Sequence, residues 1–429
     1  MSRKRRIQKS NIILTAFLLA LLLSLGYLKL SWPAFSPFEE GPSEQDNTKD
    51  TEVNNSNGDE QKEEELEAPP PPRIETVNLL ATGDLMFHDS QLEQALNKDT
   101  GEYDFYPSFE VIAPFIQSAD FAVANLETTL AGREQQGYSS FPQFNTPESL
   151  AGNLKEAGFD LLSTANNHSL DRRELGVYKT IEHLESVGLA FTGTSRSKRE
   201  RDTPVIKEIN GINIAFLAYT YGTNGIPIPE GKGFLVNLID EDLIEADIQQ
   251  ARSFGADMVV VFMHWGHEYH TSPSAEQKEL ARKLVAMGAD IILGSHPHVI
   301  QPMEFIRLEE EDGNVKEGFV IYSLGNFISN QHLLPPYIPT EKVEFGMLLQ
   351  IKIEKNFATE TYIEDVSYLP TWVHRGWRHR VLPVNRIINE EDHGLPLGRT
   401  EFENVRRVWA AIEDEITPIE AVTFLSHKF

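Results

Sequence analysis

The chain has 429 residues, with 65 acidic against 38 basic side chains, a formal net charge of −27 and no cysteine. This excess of negative charge argues against nucleic acid as the main partner, because binding phosphates requires clustered Lys and Arg. The absence of cysteine excludes disulfides, cysteine nucleophiles and Cys-ligated metal centres, so His, Asp, Glu and Asn are the available metal ligands.

The first predicted element is a membrane anchor. Residues 1–35 carry six basic side chains and no acidic one, and 19 uncharged, mostly apolar residues separate Lys9 from Lys29. A helix needs about 20 apolar residues to cross a bilayer, and a preceding basic cluster favours a cytoplasmic N-terminus. We therefore expect a cytoplasmic tail over 1–9, a single-pass cell-membrane anchor over 10–30, and an extracellular main domain. A cleaved signal peptide shares the basic start and apolar middle and is the alternative.

A polar segment separates the predicted anchor from the rest of the chain. Residues 36–75 carry a net charge of −10 and include the proline run 69–72. Because this composition offers little apolar surface to bury, we expect a disordered acidic and Pro-rich linker over 31–75. The remaining residues, 76–429, still carry a net charge of −23.

From residue 76 onward, short apolar runs alternate with amphipathic stretches. The runs have the length and composition of buried strands and lie at 77–82, 121–124, 161–164, 212–217, 258–263, 291–293 and 319–324. Helical patterns occupy 147–158, 176–188, 274–288 and 401–416, and the second and third end in a glycine where a C-cap would be. The alternation predicts an α/β domain over 76–373, followed by a C-terminal extension over 374–429.

Potential metal ligands follow five of the predicted strands. In open α/β sheets the carboxyl ends of the strands form the ligand-binding edge, so distant residues can converge there. Oxygen and imidazole ligands without sulfur suit Mn, Zn, Fe or Mg. The sequence therefore predicts a site for two divalent metal ions, with candidates Asp84, His88, Glu127, Asn167, His168, Asp171, His264, Glu268, His296 and His298.

These candidates differ in how specific their patterns are. A Gly-Asp pair after a strand, such as that ending in Asp84, is common in turns that cap a helix. The triplet from His296 to His298 is more specific, because a two-residue spacing in an extended segment directs both imidazoles to the same side. The intervening Pro297 removes a backbone donor and stiffens the link.

Six motifs in a fixed order resemble the CapA-type capsule and poly-γ-glutamate biosynthesis proteins, a family of the calcineurin-like metallophosphoesterase superfamily. They cover roughly residues 76–330 and comprise Gly83-Asp84, Asn125-Leu126-Glu127, Asn166-Asn167-His168 with Asp171, His264-Trp265-Gly266 with Glu268, Gly294-Ser295-His296-Pro297-His298 and Ser323-Leu324-Gly325-Asn326-Phe327. The resemblance implies an α/β/β/α sandwich with a two-metal site at one edge. It also implies an anchored, outward-facing protein that accompanies a poly-γ-glutamate synthase.

Matching the motifs position by position implies a role for each residue. Asp84 and His298 would bind one metal ion, and His264 and His296 the other. Glu127 stands where the superfamily usually has a bridging aspartate. The remaining implied roles are an amide ligand at Asn167 and a general acid or charge stabiliser at His168.

Two departures from the superfamily pattern concern the ligands. The first motif normally has a histidine two residues after the aspartate, whereas this chain has Met86; His88 is either a substitute ligand or a surface residue. Glu127 is one methylene longer than the usual aspartate, so the resemblance implies metal binding more strongly than it implies phosphodiester hydrolysis.

Supporting groups are also predicted around the ligands. Asp171 is expected to orient His168, and Glu268 to orient a ligand imidazole. Asn326 is expected to close the floor of the pocket or to cap a turn. His267 and His270 are interpreted as solvated loop histidines.

Three functions are compatible with these patterns. The first is an anchored subunit of poly-γ-glutamate synthesis or export, which would contact the membrane subunits of the synthase and the polyanionic polymer or a phosphorylated intermediate. The second is a stand-alone metal-dependent phosphoesterase for cell-envelope phosphodiesters or nucleotides. The third is a non-catalytic scaffold for the synthase. Whether the chain is a hydrolase is left open by the sequence.

Overall fold

A computed structural model of the chain describes residues 72–309, 313, 315–389, 395, 397–415 and 422–424. The predicted anchor and nearly all of the predicted linker lie outside these residues. Among the described residues, no helix combines the length and apolarity that crossing a bilayer would require.

The described residues form fifteen strands and ten α-helices. The strands are β1 (Ile74–Leu85), β2 (Phe121–Leu126), β3 (Leu161–Ser163), β4 (Ala190–Thr192), β5 (Val205–Ile209), β6 (Ile212–Thr220), β7 (Met258–His264), β8 (Ile291–Ser295), β9 (Ile300–Glu309), β10 (Val315–Leu324), β11 (Asn326–Ile328), β12 (Phe345–Asn356), β13 (Thr361–His374), β14 (Arg380–Pro383) and β15 (Val422–Phe424). The helices are α1 (Asp89–Ala95), α2 (Tyr106–Phe109), α3 (Ala113–Gln117), α4 (Ser149–Ala157), α5 (Arg173–Ser186), α6 (Lys198–Arg201), α7 (Glu241–Ser253), α8 (Ala275–Met287), α9 (Val384–Asn389) and α10 (Arg399–Glu415). Two short 3₁₀ helices span Gly233–Leu235 and Glu341–Glu344.

Two mixed sheets form the centre of the fold. The first has the order β14-β13-β12-β1-β2-β3-β4, with β11 paired to β1 and β15 to β13. The second has the order β5-β6-β7-β8-β10-β9. In the first sheet β1, β2 and β3 run parallel to one another, and in the second β6, β7 and β8 do. Strand β1 pairs with β12 in the antiparallel direction.

Alternating side chains place the sheets face to face and the helices outside. On β1, Leu79 lies in the apolar core between the sheets, whereas Leu80 packs in a separate cluster with α3 and α4. On β6, Phe216 faces the central core and Ala215 faces a cluster formed with α7 and α8. This α/β/β/α arrangement confirms the predicted α/β sandwich.

Local sequence explains where the predicted helices begin and end. Ser274 caps α8 by accepting the backbone N–H of Gln277, whose side chain accepts the Ser274 N–H in return. Gly288 ends the same helix in the left-handed conformation, at φ 107°. Helix α5 begins at Arg173, three residues before the predicted start at Gly176.

The C-terminal residues add to the same sandwich. Strand β14 pairs with β13 at the edge of the first sheet, and Val405 and Val408 of α10 lie in the central core. The boundary predicted at residue 373 stays a prediction, but the described residues beyond it pack on the domain before it.

Candidate metal centre

The carboxyl ends of β1, β2, β3, β7 and β8 meet at one edge of the sandwich. Within the first sheet, Asp84 is in register with Asn125, and Asn125 with Ser163. Within the second sheet, His264 is in register with Ser295. Residues that are more than 200 positions apart in the chain therefore lie side by side, as the sequence predicts.

Two glycines allow the backbones at this edge to approach closely. A Cβ on Gly83 would lie 1.8 Å from the carbonyl oxygen of Gly325, and one on Gly294 would lie 1.9 Å from that of Tyr322. Gly83 directly precedes Asp84, and Gly294 lies two residues before His296. The Gly-Asp and Gly-Ser-His patterns thus have a steric reason in the packing of the strands.

Glu127 lies at the centre of the candidate ligands and is fully buried. Its Oε1 is 3.7 Å from Nε2 of His264 and 3.8 Å from Nε2 of His298, and it has no hydrogen-bond partner. Burial and the neighbouring carboxylates of Asp84 and Glu268 raise the pKa of Glu127 well above its usual value. A buried carboxylate oxygen without a partner is costly, and a cation between these groups would satisfy it.

Two of the imidazoles are held neutral in the described structure. Burial lowers the pKa of His264, and the neighbouring imidazole of His296 lowers it further. Burial lowers the pKa of His296 to about 3, and its Nδ1 has no hydrogen-bond partner. Neutral imidazoles are the form that binds metal ions. These two rings can therefore bind a divalent cation without first losing a proton.

Two overlapping groups of donors could each hold a cation. In each group the donor atoms lie within 4.8 Å of one another, and the groups are Glu127, His296 and His298, and Asp84, Glu127 and His264. Glu127 belongs to both, which agrees with the bridging position implied by the resemblance. The grouping differs from the implied one, because His296 and not Asp84 accompanies His298, and Asp84 accompanies His264.

Asp84 and Asn167 fix the orientation of two candidate ligands. Oδ2 of Asp84 lies 3.0 Å from Nδ1 of His298, which directs Nε2 of that ring toward Glu127. Oδ1 of Asn167 lies 3.1 Å from Nε2 of His264, so this amide also reaches the cluster.

The segment from His296 to His298 is not extended, which corrects the reason given for its pattern. Strand β8 ends at Ser295, and the two histidines have φ values of 94° and 59°. Residues other than glycine rarely adopt this left-handed region, and such strain concentrates at functional sites. Both rings reach Glu127 because of this turn and not because of strand periodicity.

His168 and Asp171 form a separate pair beside the cluster. Nδ1 of His168 lies 2.7 Å from Oδ2 of Asp171, and the same oxygen accepts the backbone N–H of Phe144 at 2.7 Å. All these groups are buried. The carboxylate therefore holds the imidazole in one orientation, with Nε2 available to a ligand.

His88 lies between Gln91 of α1 and Asn330. Its Nδ1 accepts the N–H of Asn330 at 3.3 Å and lies 3.4 Å from Oε1 of Gln91, which accepts the His88 backbone N–H at 2.8 Å. Burial lowers the pKa of His88 to about 4, so the ring is neutral. Neither of the two donor groups around Glu127 includes His88. The geometry therefore gives this ring no place among the candidate ligands.

The other predicted residues surround the centre without joining it. Glu268 is exposed on the wall of the adjacent cavity and hydrogen-bonds Tyr269, whereas the hydroxyl of Ser295 lies 2.9 Å from Nδ1 of His264. Ser295, and not Glu268 as expected, therefore orients the imidazole of His264. His267 and His270 are exposed, as their interpretation requires.

Asn326 lies beneath the cluster and is completely buried. It is in register with Asp84, and its amide donates to the Val343 carbonyl and to Gln331 Oε1, each at 2.9 Å. These bonds tie β11 to the loop that follows it. The residue thus supports the floor of the site, one of the two roles predicted for it.

Three residues of the site were missed by the sequence reasoning. Asn125 donates to Asp84 at 2.8 Å and to Glu127 at 3.2 Å, and its place in the Asn-Leu-Glu motif was the available signal. Ser295 precedes the His-Pro-His triplet and could have been found in the same way. Tyr221 has its ring 4.6 Å from that of His296, and nothing in its local sequence marks it.

A cavity of about 790 Å³ opens beside the cluster. His168, Asp171 and His298 line it on the side of the centre, and His88 lines it as well. A second cavity, of about 870 Å³, surrounds the ion pair of Arg201 and Asp247 and contains none of the predicted site residues. The first cavity is therefore the one that could place a ligand against the candidate metal centre.

Comparison with known proteins identifies relatives in capsule biosynthesis. The family described as "Bacterial capsule synthesis protein PGA_cap" matches residues 78–331. The capsule biosynthesis protein CapA of Bacillus anthracis is 29% identical over 265 residues, which cover 60% of this chain and 61% of that protein. The PGA biosynthesis protein CapA of Bacillus subtilis (strain 168) is 29% identical over 272 residues, covering 61% and 66%. The similarity thus spans less than two thirds of either relative.

Solved structures with a similar chain trace include phosphoesterases. The calcineurin-like phosphoesterase YfkN from Bacillus subtilis is 13% identical with a TM-score of 0.41, and the similarity covers 79% of this chain and all of that one. A putative 5′-nucleotidase from Staphylococcus aureus is also 13% identical, with a TM-score of 0.41, covering 78% of this chain and 58% of that one.

Proposed function

The chain belongs to the bacterial capsule synthesis protein family PGA_cap, as the sequence motifs predict, and we propose that it serves poly-γ-glutamate synthesis or export as a membrane-anchored, extracellular subunit with a two-metal centre. The observation that carries the metal centre is the convergence of buried donors on Glu127, whose Oε1 has no other partner. The family match, together with the CapA relatives, supports the assignment to capsule synthesis.

Asp84, Glu127, Asn167, His264, His296 and His298 would hold two divalent ions. When bound, such ions supply Lewis-acid stabilisation for an oxyanion of the ligand. The chain's own residues supply the rest. His168, oriented by Asp171, presents Nε2 to the cavity and, in its protonated form, can give a proton to an oxygen of the ligand. Burial of the cluster excludes water and strengthens each of these interactions.

The charge of the protein suits a transient contact with an anionic product. The residues from 76 onward carry −23, so a polyanionic chain is repelled except where cations are held. Contact with the membrane subunits of a synthase would place the centre beside the emerging polymer or a phosphorylated intermediate.

Two measurements test this proposal. Elemental analysis of the full-length protein should find about two Mn, Zn, Fe or Mg ions per chain, and fewer in a His296→Ala, His298→Ala double variant. Cells producing His296→Ala at normal protein level should form less poly-γ-glutamate. If those cells form as much poly-γ-glutamate as cells with the natural protein, the metal centre is not required for polymer formation.

A hydrolytic activity is a second candidate, favoured by the His168–Asp171 pair at the cavity wall. It predicts that the metal-loaded protein cleaves a chromogenic phosphodiester and that His168→Ala slows the reaction while retaining the metal ions. Absence of turnover across several metals and phosphate esters would leave the centre with a binding role only.

A further inference from the structure

Three large apolar side chains are exposed at the rim of the cavity beside the candidate metal centre. The exposed fractions are 69% for Phe141, 50% for Leu334 and 78% for Tyr337. Phe141 comes from a loop nearly 200 residues before the other two. Exposed apolar groups scattered singly are ordinary, but several that converge on one cavity indicate a binding surface.

The loops that carry these side chains are held by hydrogen bonds. Ser139 and Asn145 pair as an isolated bridge below Phe141, and Arg172 donates to the Ser139 hydroxyl at 2.5 Å. Leu334 and Ile338 form a similar bridge in the second loop. The apolar rim is thus part of two hydrogen-bonded turns. Because these turns are already ordered in the free protein, ligand binding does not have to offset the conformational entropy of ordering them.

The charge of the residues that line the cavity limits which ligands it can bind. Among the residues that line it in the described part of the chain there is no Lys or Arg, while Asp171 and Glu268 contribute carboxylates. An anionic group therefore finds favourable charge only against the candidate metal centre. A ligand with charges along its whole length would meet like charges and apolar side chains elsewhere in the cavity.

We propose that this cavity binds a ligand with a single phosphoryl-type group at the metal centre and an apolar group against Phe141, Leu334 and Tyr337. This inference rests on the proposed metal centre and names the class of ligand that the centre would take. It makes the site selective for an amphipathic phosphorylated compound over the free polyanionic polymer. The apolar group is aliphatic or aromatic, and the two are separated by the probes described next.

The test measures affinity and requires no turnover. Isothermal titration of the full-length protein with excess Mn²⁺ compares methylphosphonate, butylphosphonate and phenylphosphonate. Each buried methylene strengthens binding by roughly fourfold, so butylphosphonate should bind roughly tenfold or more tighter than methylphosphonate. A larger gain for phenylphosphonate than for butylphosphonate would identify an aromatic group, and the reverse an aliphatic one.

Exposed side chains allow variants that leave the fold intact. Phe141→Ala and Tyr337→Ala should each reduce the preference for the apolar phosphonates by several-fold and leave methylphosphonate affinity unchanged. Phe254→Ala is the matched control, because Phe254 is 65% exposed and does not line the cavity. It should keep the full preference.

The outcomes separate this inference from the proposed function. Elemental analysis of the same samples reports the metal content. If the protein binds metal but binds methyl- and butylphosphonate with equal affinity, the inference alone is overturned. The same holds if Phe254→Ala loses the preference for apolar phosphonates as much as Phe141→Ala and Tyr337→Ala do. A protein that binds neither metal nor any phosphonate overturns the proposed function and the inference with it.

Discussion

Oε1 of Glu127 lies 3.7 Å from Nε2 of His264, and this oxygen is a buried polar atom without a hydrogen bond. The carboxylate comes from the first sheet and the imidazole from the second. A cation between them would therefore join the two sheets at their shared edge. Every candidate ligand is within reach of this pair only because the strand ends of both sheets meet there.

Glu127→Gln should lower the metal content of the protein. We expect about two ions per chain in the natural protein and a loss of at least one in the variant, because an amide cannot replace a shared carboxylate. Elemental analysis after dialysis measures the change. Glu268→Gln is the matched control: it makes the same chemical change on the exposed cavity wall and should keep the metal content. Full metal content in Glu127→Gln would exclude Glu127 as a bridging ligand.

The stability of the metal-free protein should fall as pH rises above 4.5, the ordinary pKa of Glu127. Its pKa is raised in the folded state by burial, whereas in the unfolded chain it returns to the ordinary 4.5. Above the unfolded value the unfolded state loses the proton that the folded state keeps, so rising pH favours unfolding. The slope is about 1.4 kcal/mol per pH unit until the folded pKa is reached.

Thermal unfolding with a chelator present measures this dependence. As pH rises above 4.5, the melting temperature of the natural protein should fall relative to that of Glu127→Gln. The lowered pKa values of His264 and His296 favour the unfolded state at acidic pH, and both proteins contain these rings, so the difference between the two profiles reports Glu127. Parallel pH profiles for the two proteins would contradict the raised pKa.

The apolar runs and the residues after them were sufficient to predict the strands that build the site. Each of the seven predicted strands is present, because buried parallel strands leave continuous runs such as that of β7. Strands β12 and β13 were missed, although Ile351 and Ile353 alternate with Gln350 and Lys352 in the pattern of a sheet with one polar face. That alternation was the available signal.

The parts of the site that were not predictable depend on chain turns and distant contacts. The left-handed conformation of His296 and His298 cannot be inferred from residue spacing. The ring of His88 contacts Gln91 and Asn330, and the second partner lies more than 200 residues away. Sequence alone therefore left the role of His88 open, whereas the structure leaves it outside both donor groups.

His88→Ala should leave the metal content unchanged. The ring belongs to neither donor group around Glu127, and its Nδ1 accepts the Asn330 N–H at 3.3 Å. His298→Ala, by contrast, should lose metal, because Nε2 of that ring lies 3.8 Å from Glu127 Oε1. Elemental analysis of both variants makes the comparison. Metal loss in His88→Ala with normal folding, shown by circular dichroism, would restore it as a ligand.

Asp171→Asn should separate the two tasks of this carboxylate. The amide oxygen can take the place of Oδ2, which accepts the Phe144 N–H and contacts His168 Nδ1, but the amide carries no negative charge to stabilise a protonated His168 ring. Any phosphodiesterase rate should fall roughly 10- to 100-fold with the metal ions retained. Asp171→Ala, which also leaves the Phe144 N–H unpaired, should lose a further 1–3 kcal/mol or so of stability. Equal stability and equal rates for both variants would contradict the double role.

Gly294→Ala tests whether the packing of the strand ends sets the site. The new Cβ would lie 1.9 Å from the Tyr322 carbonyl oxygen, so β8 and β10 would have to separate where Ser295 and His296 follow. We expect a loss of about 3 kcal/mol or more in the free energy of unfolding, since overpacking against backbone cannot relax as a side chain does. Gly152→Ala in α4 is the control, because nothing lies within 4 Å of its Cβ position. That variant should be stabilised by up to about 1 kcal/mol through helix propensity. Denaturant unfolding measures both, and an unperturbed Gly294→Ala protein would mean that the strands at this edge can part without cost to the site.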